Sequence, residues 1–324
     1  MYVQKCYTHR DIKKEAQPIM SQYKLLEAID KRKQEKGFLI LAHYYVDSTI
    51  QQIADFVGDS LFLNKMASIQ KEQNILFCGV KFMGESAKLL NPNKKIIMPD
   101  ITADCPMVHM IETDEIKKVK SNYDDLAIVC YINSTLETKA FSDVCVTASN
   151  AVKVIRQLEQ KNIFFIPDKN LGRYIQSQIP DKHFIFSNGF CPVHSRITIE
   201  KINTLRKKIP NAEILAHPEC PFNILKIADY IGGTSGIIDY VNKSKGKQFI
   251  ICTEMGILYK LKQENPDKDF YFIEEKPICH NMKKINLQKV YNAMYNLKPE
   301  IHIDKNLAKN AKKSLDNMYT LSEI

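Results

Sequence analysis

Short apolar runs alternate along this chain with segments whose hydrophobic residues recur at helical spacing. The runs are four to six residues long, rich in β-branched and aromatic side chains, and end in polar turns. Such runs mark strands buried on both faces of a parallel sheet. Between them, Ser86-Ala87-Lys88-Leu89-Leu90 reads as a helix that stops at Asn91-Pro92, where proline cannot continue it. Met255, Ile257, Leu258 and Leu261 predict a second helix over Glu254 to Glu264, closed before Pro266. Alternating strand and helix predicts βαβ units stacked as three-layer αβα sandwiches.

The pattern occurs three times. Ile40-Leu41-Ala42-His43 returns as Ile214-Leu215-Ala216-His217, and Ile128-Val129-Cys130-Tyr131 has the same shape between them. An aspartate follows each run by 12 residues: Asp55, Asp143 and Asp229. Phe77, Phe165 and Ile251 lie in the next apolar run, each 22 residues past its aspartate. Cys105, Cys191 and Cys279 follow the last run of each copy, 50, 48 and 50 residues past the aspartate. The fold class expected is therefore α/β: three pseudo-symmetric αβα units with parallel sheets around a central active site. The units are assigned to residues 1–112, 113–198 and 199–286. The first carries an N-terminal helical extension, and the tail 287–324, with amphipathic helices over Leu287 to Leu297 and Asn306 to Tyr319, is expected to pack on it. Parallel sheets bind ligands beyond the carboxyl ends of their strands. This singles out His43, Tyr44, Tyr45, Tyr131, Asn133, His217 and Glu219.

Composition narrows the reading. No run approaches 18 apolar residues, so no membrane span is expected. Met1 to Glu15 is polar and has no signal-peptide core. The expected compartment is the cytoplasm, where thiols stay reduced. The net charge of +9 comes mostly from lysines spread along the chain. No arginine stripe or recognition motif accompanies them, so nucleic acid is not the expected partner. A basic background suits small anionic substrates.

There are nine cysteines and no Cys-x-x-Cys, which argues against a disulfide framework or zinc ribbon. Cys78, Cys130, Cys145 and Cys252 sit in apolar runs and read as small buried hydrophobes. Cys6 reads as exposed and incidental, and Cys220 as a polar-loop residue without a clear role. Cys105, Cys191 and Cys279 differ, because equivalence across three repeats brings them to one site. Three thiolates bind either zinc with a fourth ligand or an iron–sulfur cubane. In a cubane, one iron remains open to substrate and acts as a Lewis acid.

Several stretches carry a family resemblance. They are His43-Tyr44-Tyr45, Gln52 to Ser60, Tyr131-Ile132-Asn133-Ser134, His217-Pro218-Glu219-Cys220, Gly233-Thr234-Ser235-Gly236, Thr253-Glu254-Met255-Gly256 and Cys279-His280-Asn281-Met282. In this order, from about Leu39 to Met294, they resemble the quinolinate synthase family (quinolinate synthetase A). The resemblance implies one [4Fe–4S] cluster per chain on Cys105, Cys191 and Cys279, with one iron not ligated by cysteine. It also implies a condensation of iminoaspartate with dihydroxyacetone phosphate that yields quinolinate, the precursor of the NAD pyridine ring. An aspartate-oxidising enzyme is the implied supplier of the imine. One departure stands out. A Thr-Ser-x-Asn stretch is expected, and the chain reads Thr147-Ala148-Ser149-Asn150, so Ser149 or Thr147 must replace the serine.

Site roles follow from the anionic substrates. Thr234 and Ser235 open a helix after a glycine, where backbone N–H groups favour anions, and Ser60 is their counterpart in the first unit. His43 and His217 are expected to bind carboxylate or phosphate, Tyr131 and Asn133 to orient carboxylates, and His194 to lie near the open iron. Tyr45 and Glu219, with His43, are the candidates for acid–base work. An iron–sulfur hydro-lyase acting on a small hydroxy acid is the alternative.

Overall fold

The apolar runs fold as strands, and the computed structural model describes residues 21–322. Expectations placed on residues 1–20, including the start of the N-terminal extension and Cys6, lie outside the described residues. The first unit runs α1 (Gln22–Lys36), β1 (Phe38–His43), α2 (Ser48–Ile53), β2 (Phe56–Gly58), α3 (Ser60–Ile69), β3 (Asn74–Cys78), α4 (Lys81–Leu90) and β4 (Lys95–Ile97). The second follows with α5 (Thr113–Lys120), β5 (Leu126–Tyr131), α6 (Leu136–Ala140), β6 (Val144–Val146), α7 (Ala151–Arg156), β7 (Asn162–Ile166), α8 (Lys169–Gln178) and β8 (His183–Phe186). The third is α9 (Ile199–Lys208), β9 (Glu213–Ala216), α10 (Phe222–Leu225), β10 (Tyr230–Ile231), α11 (Thr234–Lys243), β11 (Gln248–Cys252), α12 (Ile257–Glu264) and β12 (Asp269–Tyr271). The chain continues into α13 (Leu287–Asn296) and α14 (Lys305–Ser322).

Each unit builds one four-stranded parallel sheet. The strand orders are β2-β1-β3-β4, β6-β5-β7-β8 and β10-β9-β11-β12, one topology used three times. The central strands are buried along nearly their whole length, as two covered faces require. The predicted three αβα units are therefore present. The helix expected from Glu254 starts instead at Ile257, because the Glu254 side chain accepts backbone N–H groups at the strand end.

The repeated aspartates have a structural job. Asp55, Asp143 and Asp229 each accept, through Oδ2, the N–H of Ile40, Ile128 or Ile214, at 2.8, 2.8 and 2.7 Å. Their own N–H groups donate back to the carbonyls of the same three residues, at 2.9, 3.0 and 2.8 Å. This two-way link adds a side-chain rung to the ladder between the first and second strands. A charge-assisted hydrogen bond of this kind is stronger than a neutral one, which accounts for the fixed 12-residue spacing.

The tail divides between the first two units, α14 also touching α4 of the first. α13 packs on α1 and β3 of the first unit, whereas α14 lies on α6, β6 and α7 of the second. The α14 face bearing Ala311, Leu315 and Met318 is buried. Its polar anchors are specific to the second unit: Ser314 Oγ meets Cys145 Sγ at 3.3 Å, and Asn317 Nδ2 donates to the Asp143 carbonyl at 2.8 Å. No helix among the described residues is long and apolar enough to cross a membrane.

Candidate active site

Chain order reverses between the first and third strands of each sheet, and such switch points are where α/β sheets bind ligands. All three switch points open on one cavity. His43 and Val80 wall it from the first unit, Tyr131 from the second, and His217 and Glu254 from the third. Its non-atom space is about 760 Å³ with the open mouth included, in the range of small-molecule sites. Of the site residues singled out from the sequence, all but Tyr44 and Ser235 line it. The Ser235 hydroxyl donates instead to Asp59 Oδ2 at 2.7 Å.

Cys105, Cys191 and Cys279 reach the cavity from the loops after β4, β8 and β12. All three are free and partly buried. Burial pushes each thiol up; Cys279 adds to this at Cys105, and Glu219 and Cys105 add to it at Cys191. A metal taken up here must therefore displace thiol protons. Cys78, Cys130, Cys145 and Cys252 are buried in their strands as expected. Cys220 is buried too, its Sγ donating to the Cys252 carbonyl at 3.2 Å, so it is packing rather than a polar-loop residue.

A chain of hydrogen bonds crosses the cavity between units. Thr234 Oγ1 is 2.9 Å from the Tyr45 hydroxyl, which is 2.8 Å from Thr253 Oγ1. Thr253 Oγ1 lies 2.9 Å from His194 Nε2. On its other side, His194 Nδ1 is 2.8 Å from Glu219 Oε2 and 3.1 Å from Cys191 Sγ. The Tyr131 hydroxyl also bonds Glu219. Cys191, His194 and Glu219 form a group that can hold a metal ion, their ligand atoms lying within 4.8 Å of one another. Thr253, fully buried at the centre of this chain, is a site residue to which the sequence assigned no role. Its signal was a place beside Glu254 at the end of a repeat strand.

The two repeat-equivalent histidines are held alike. His43 Nδ1 accepts the Tyr45 N–H at 3.1 Å, and His217 Nδ1 accepts the Glu219 N–H at 3.3 Å. Burial pushes both imidazoles down to about 3. Neutral rings that accept at Nδ1 carry their proton on Nε2, so each offers an N–H donor. Burial raises the Tyr45 phenol well above its usual range, with Glu219 adding to the effect. Burial would also raise the Glu219 carboxyl, but hydrogen bonds from His194 and the Tyr131 hydroxyl favour the charged form, and the carboxyl lies below its usual range.

Hydroxyls from each unit complete the wall. Ser60 and Thr234 open α3 and α11, helices of ten residues each. In the second unit Thr147, Ala148 and Ser149 all line the cavity, and the two hydroxyl oxygens lie 2.9 Å apart. Thr147 also donates to Asn150 Oδ1 at 3.1 Å. Lys283 ties the third unit to the first through the Tyr45 carbonyl at 2.7 Å.

The fold and site together define a class: a three-unit α/β protein whose thiol-lined central cavity offers neutral donors and the Glu219 carboxylate. The chain matches the family described as Quinolinate synthetase A protein over residues 27–320, and it belongs to that family. It is 49% identical over 296 residues to the quinolinate synthase of Fusobacterium nucleatum subsp. nucleatum, covering 91% of this chain and 99% of that relative. The quinolinate synthase of Clostridioides difficile (strain 630) is 47% identical over 295 residues, covering 91% and 97%. That of Caldicellulosiruptor bescii is 46% identical over 294 residues, with the same coverage.

Proposed function

We propose that this chain is a quinolinate synthase. In this reading it condenses iminoaspartate with dihydroxyacetone phosphate, releasing phosphate and two waters, as a cytoplasmic step of NAD formation. The observation that carries the reading is the convergence of three repeat-equivalent thiols on one cavity that also holds Glu219, Tyr45 and two donor histidines.

The donor set fits a [4Fe–4S] cluster. Three cysteine sulfurs from three separate loops are the ligands a cubane takes when one iron is left without a protein thiolate. When bound, such a cluster supplies a Lewis-acidic iron beside the substrates. The remaining chemistry falls to the chain. Ser60, Thr234 and Ser149 offer hydroxyls to phosphate and carboxylate oxygens, with Thr147 behind Ser149. His43 and His217 offer Nε2–H donors, and Asn133 and Tyr131 orient a carboxylate. Glu219, ionised and beside His194, is the base that removes a proton from substrate carbon or hydroxyl. Tyr45, held neutral, is the acid that protonates a departing hydroxyl.

Anaerobic reconstitution followed by iron and sulfide counting tests the reading. About four irons per chain are expected, and Cys105→Ala is expected to hold no intact cluster. One metal per chain, retained in Cys105→Ala, would assign the site to Cys191, His194 and Glu219 as a mononuclear centre. Turnover of a hydroxy acid alone, without the second substrate, would favour a hydro-lyase.

A further inference from the structure

The three cysteine loops dock on their sheets through the same backbone bond. The N–H groups of Lys81, Lys169 and Met255 donate to the carbonyls of Ala103, Gly189 and Pro277, at 2.8, 2.9 and 2.9 Å. Each acceptor lies two residues before its cysteine. The second and third units add a side-chain tie. Asp168 Oδ2 accepts the Cys191 N–H, and Glu254 Oε1 accepts the Cys279 N–H, both at 3.1 Å.

These two acids occupy one repeat position, 25 residues after Asp143 and Asp229. Both are fully buried at the end of the third strand of their sheet. Their second oxygens are also committed. Asp168 Oδ1 accepts the N–H groups of Asn170 and Leu171 at 2.8 and 3.0 Å, where α8 begins. Glu254 Oε2 accepts the Gly256 N–H at 2.6 Å, just before α12. In the first unit the equivalent residue is Val80. There the Cys105 N–H is taken by the neighbouring Asp104 at 2.9 Å, a residue that also meets His109 at 2.8 Å.

We propose that Asp168 and Glu254 are positioning residues for the metal centre, each a two-oxygen clamp fixing a ligand-bearing loop to the end of its sheet. The inference rests on the cluster reading above. It explains why the position carries an acid rather than an amide of the same size. Both oxygens must accept, and an amide has one acceptor, so its NH2 group would face a backbone N–H. Partners behind metal ligands are worth about 10- to 100-fold in metal retention.

The test uses the full chain reconstituted anaerobically as wild type, Asp168→Asn, Glu254→Gln and Glu254→Asp. The visible spectrum and the rate of iron loss to a chelator are recorded, and circular dichroism of the metal-free protein reports folding. Asp168→Asn and Glu254→Gln are expected to lose iron about tenfold faster or more. Glu254→Asp is one methylene shorter but keeps two acceptors, and it is expected to hold iron longer than Glu254→Gln. A role in packing alone predicts the reverse order, and that order would overturn the proposal. Wild-type rates in both amide variants would also overturn it while leaving the cluster reading intact. A wild-type chain that takes up no iron would remove both. Should Asp168→Asn fail to fold, the two Glu254 variants decide the matter.

Discussion

Asp55, Asp143 and Asp229 make the same pair of bonds within their sheets in all three units. The strand ends a few residues away are not the same in all three. Where the first unit ends its leading strand in His43, the second has Tyr131, and the third places His217 just beyond. The position after the third strand reads Val80, Asp168 and Glu254. Holding a parallel sheet together is one problem with one solution, so its chemistry stays triplicate. Substrates without threefold symmetry need a wall without it, so the cavity side has diverged. The cysteines stand between these cases, because three like ligands suit a metal centre.

Replacements on the two sides should therefore fail in different ways. Glu219→Gln, on the diverged side, is expected to keep its iron and fold but lose turnover by about 10²- to 10⁴-fold. Near-wild-type turnover at full iron occupancy would exclude Glu219 as the base. Asp143→Ala, on the conserved side, is expected to cost about 2 kcal/mol of stability, read by denaturant midpoint. Its turnover per folded molecule should be unchanged, and a lower value would mean that the two sides are not separable.

The smallest effect is in pH. An unfolded histidine takes a proton below about 6.5, whereas buried His43 and His217 stay neutral down to about 3. The unfolded chain thus binds more protons between those values. Stability falls as pH drops below about 6.5 and is unaffected by these groups above it. His217→Gln in the metal-free protein is expected to remove about 1 kcal/mol of the loss between pH 6.5 and 5.5. An unchanged pH profile in that variant would show that His217 is not buried as a neutral ring.

How much was visible beforehand follows the same division. Period and spacing exposed the sheets, their aspartates and the three thiols, because repeated structural demands leave repeated residues. Strand-end placement then led to His43, Tyr131, His217 and Glu219. Thr253, present in a resemblance stretch, carries no role there because one hydroxyl at a strand end has no pattern of its own, and its importance lies in partners from other units. Ser235 was misplaced for a related reason. Its turn suits an anion, but only the tertiary structure brings up Asp59 as a competing acceptor. The position of α14 was equally hidden, since an amphipathic face states that it must be covered and not by which unit.

That placement of α14 carries a consequence for the order of events at the ribosome. β6 and α6 leave the exit tunnel long before Lys305–Ser322 has been made. At ordinary synthesis rates the gap is on the order of ten seconds. For that time the nascent second unit shows the growing cell an apolar flank that its own segment cannot cover. Completion of this unit thus waits on a helix made well after its own strands and helices.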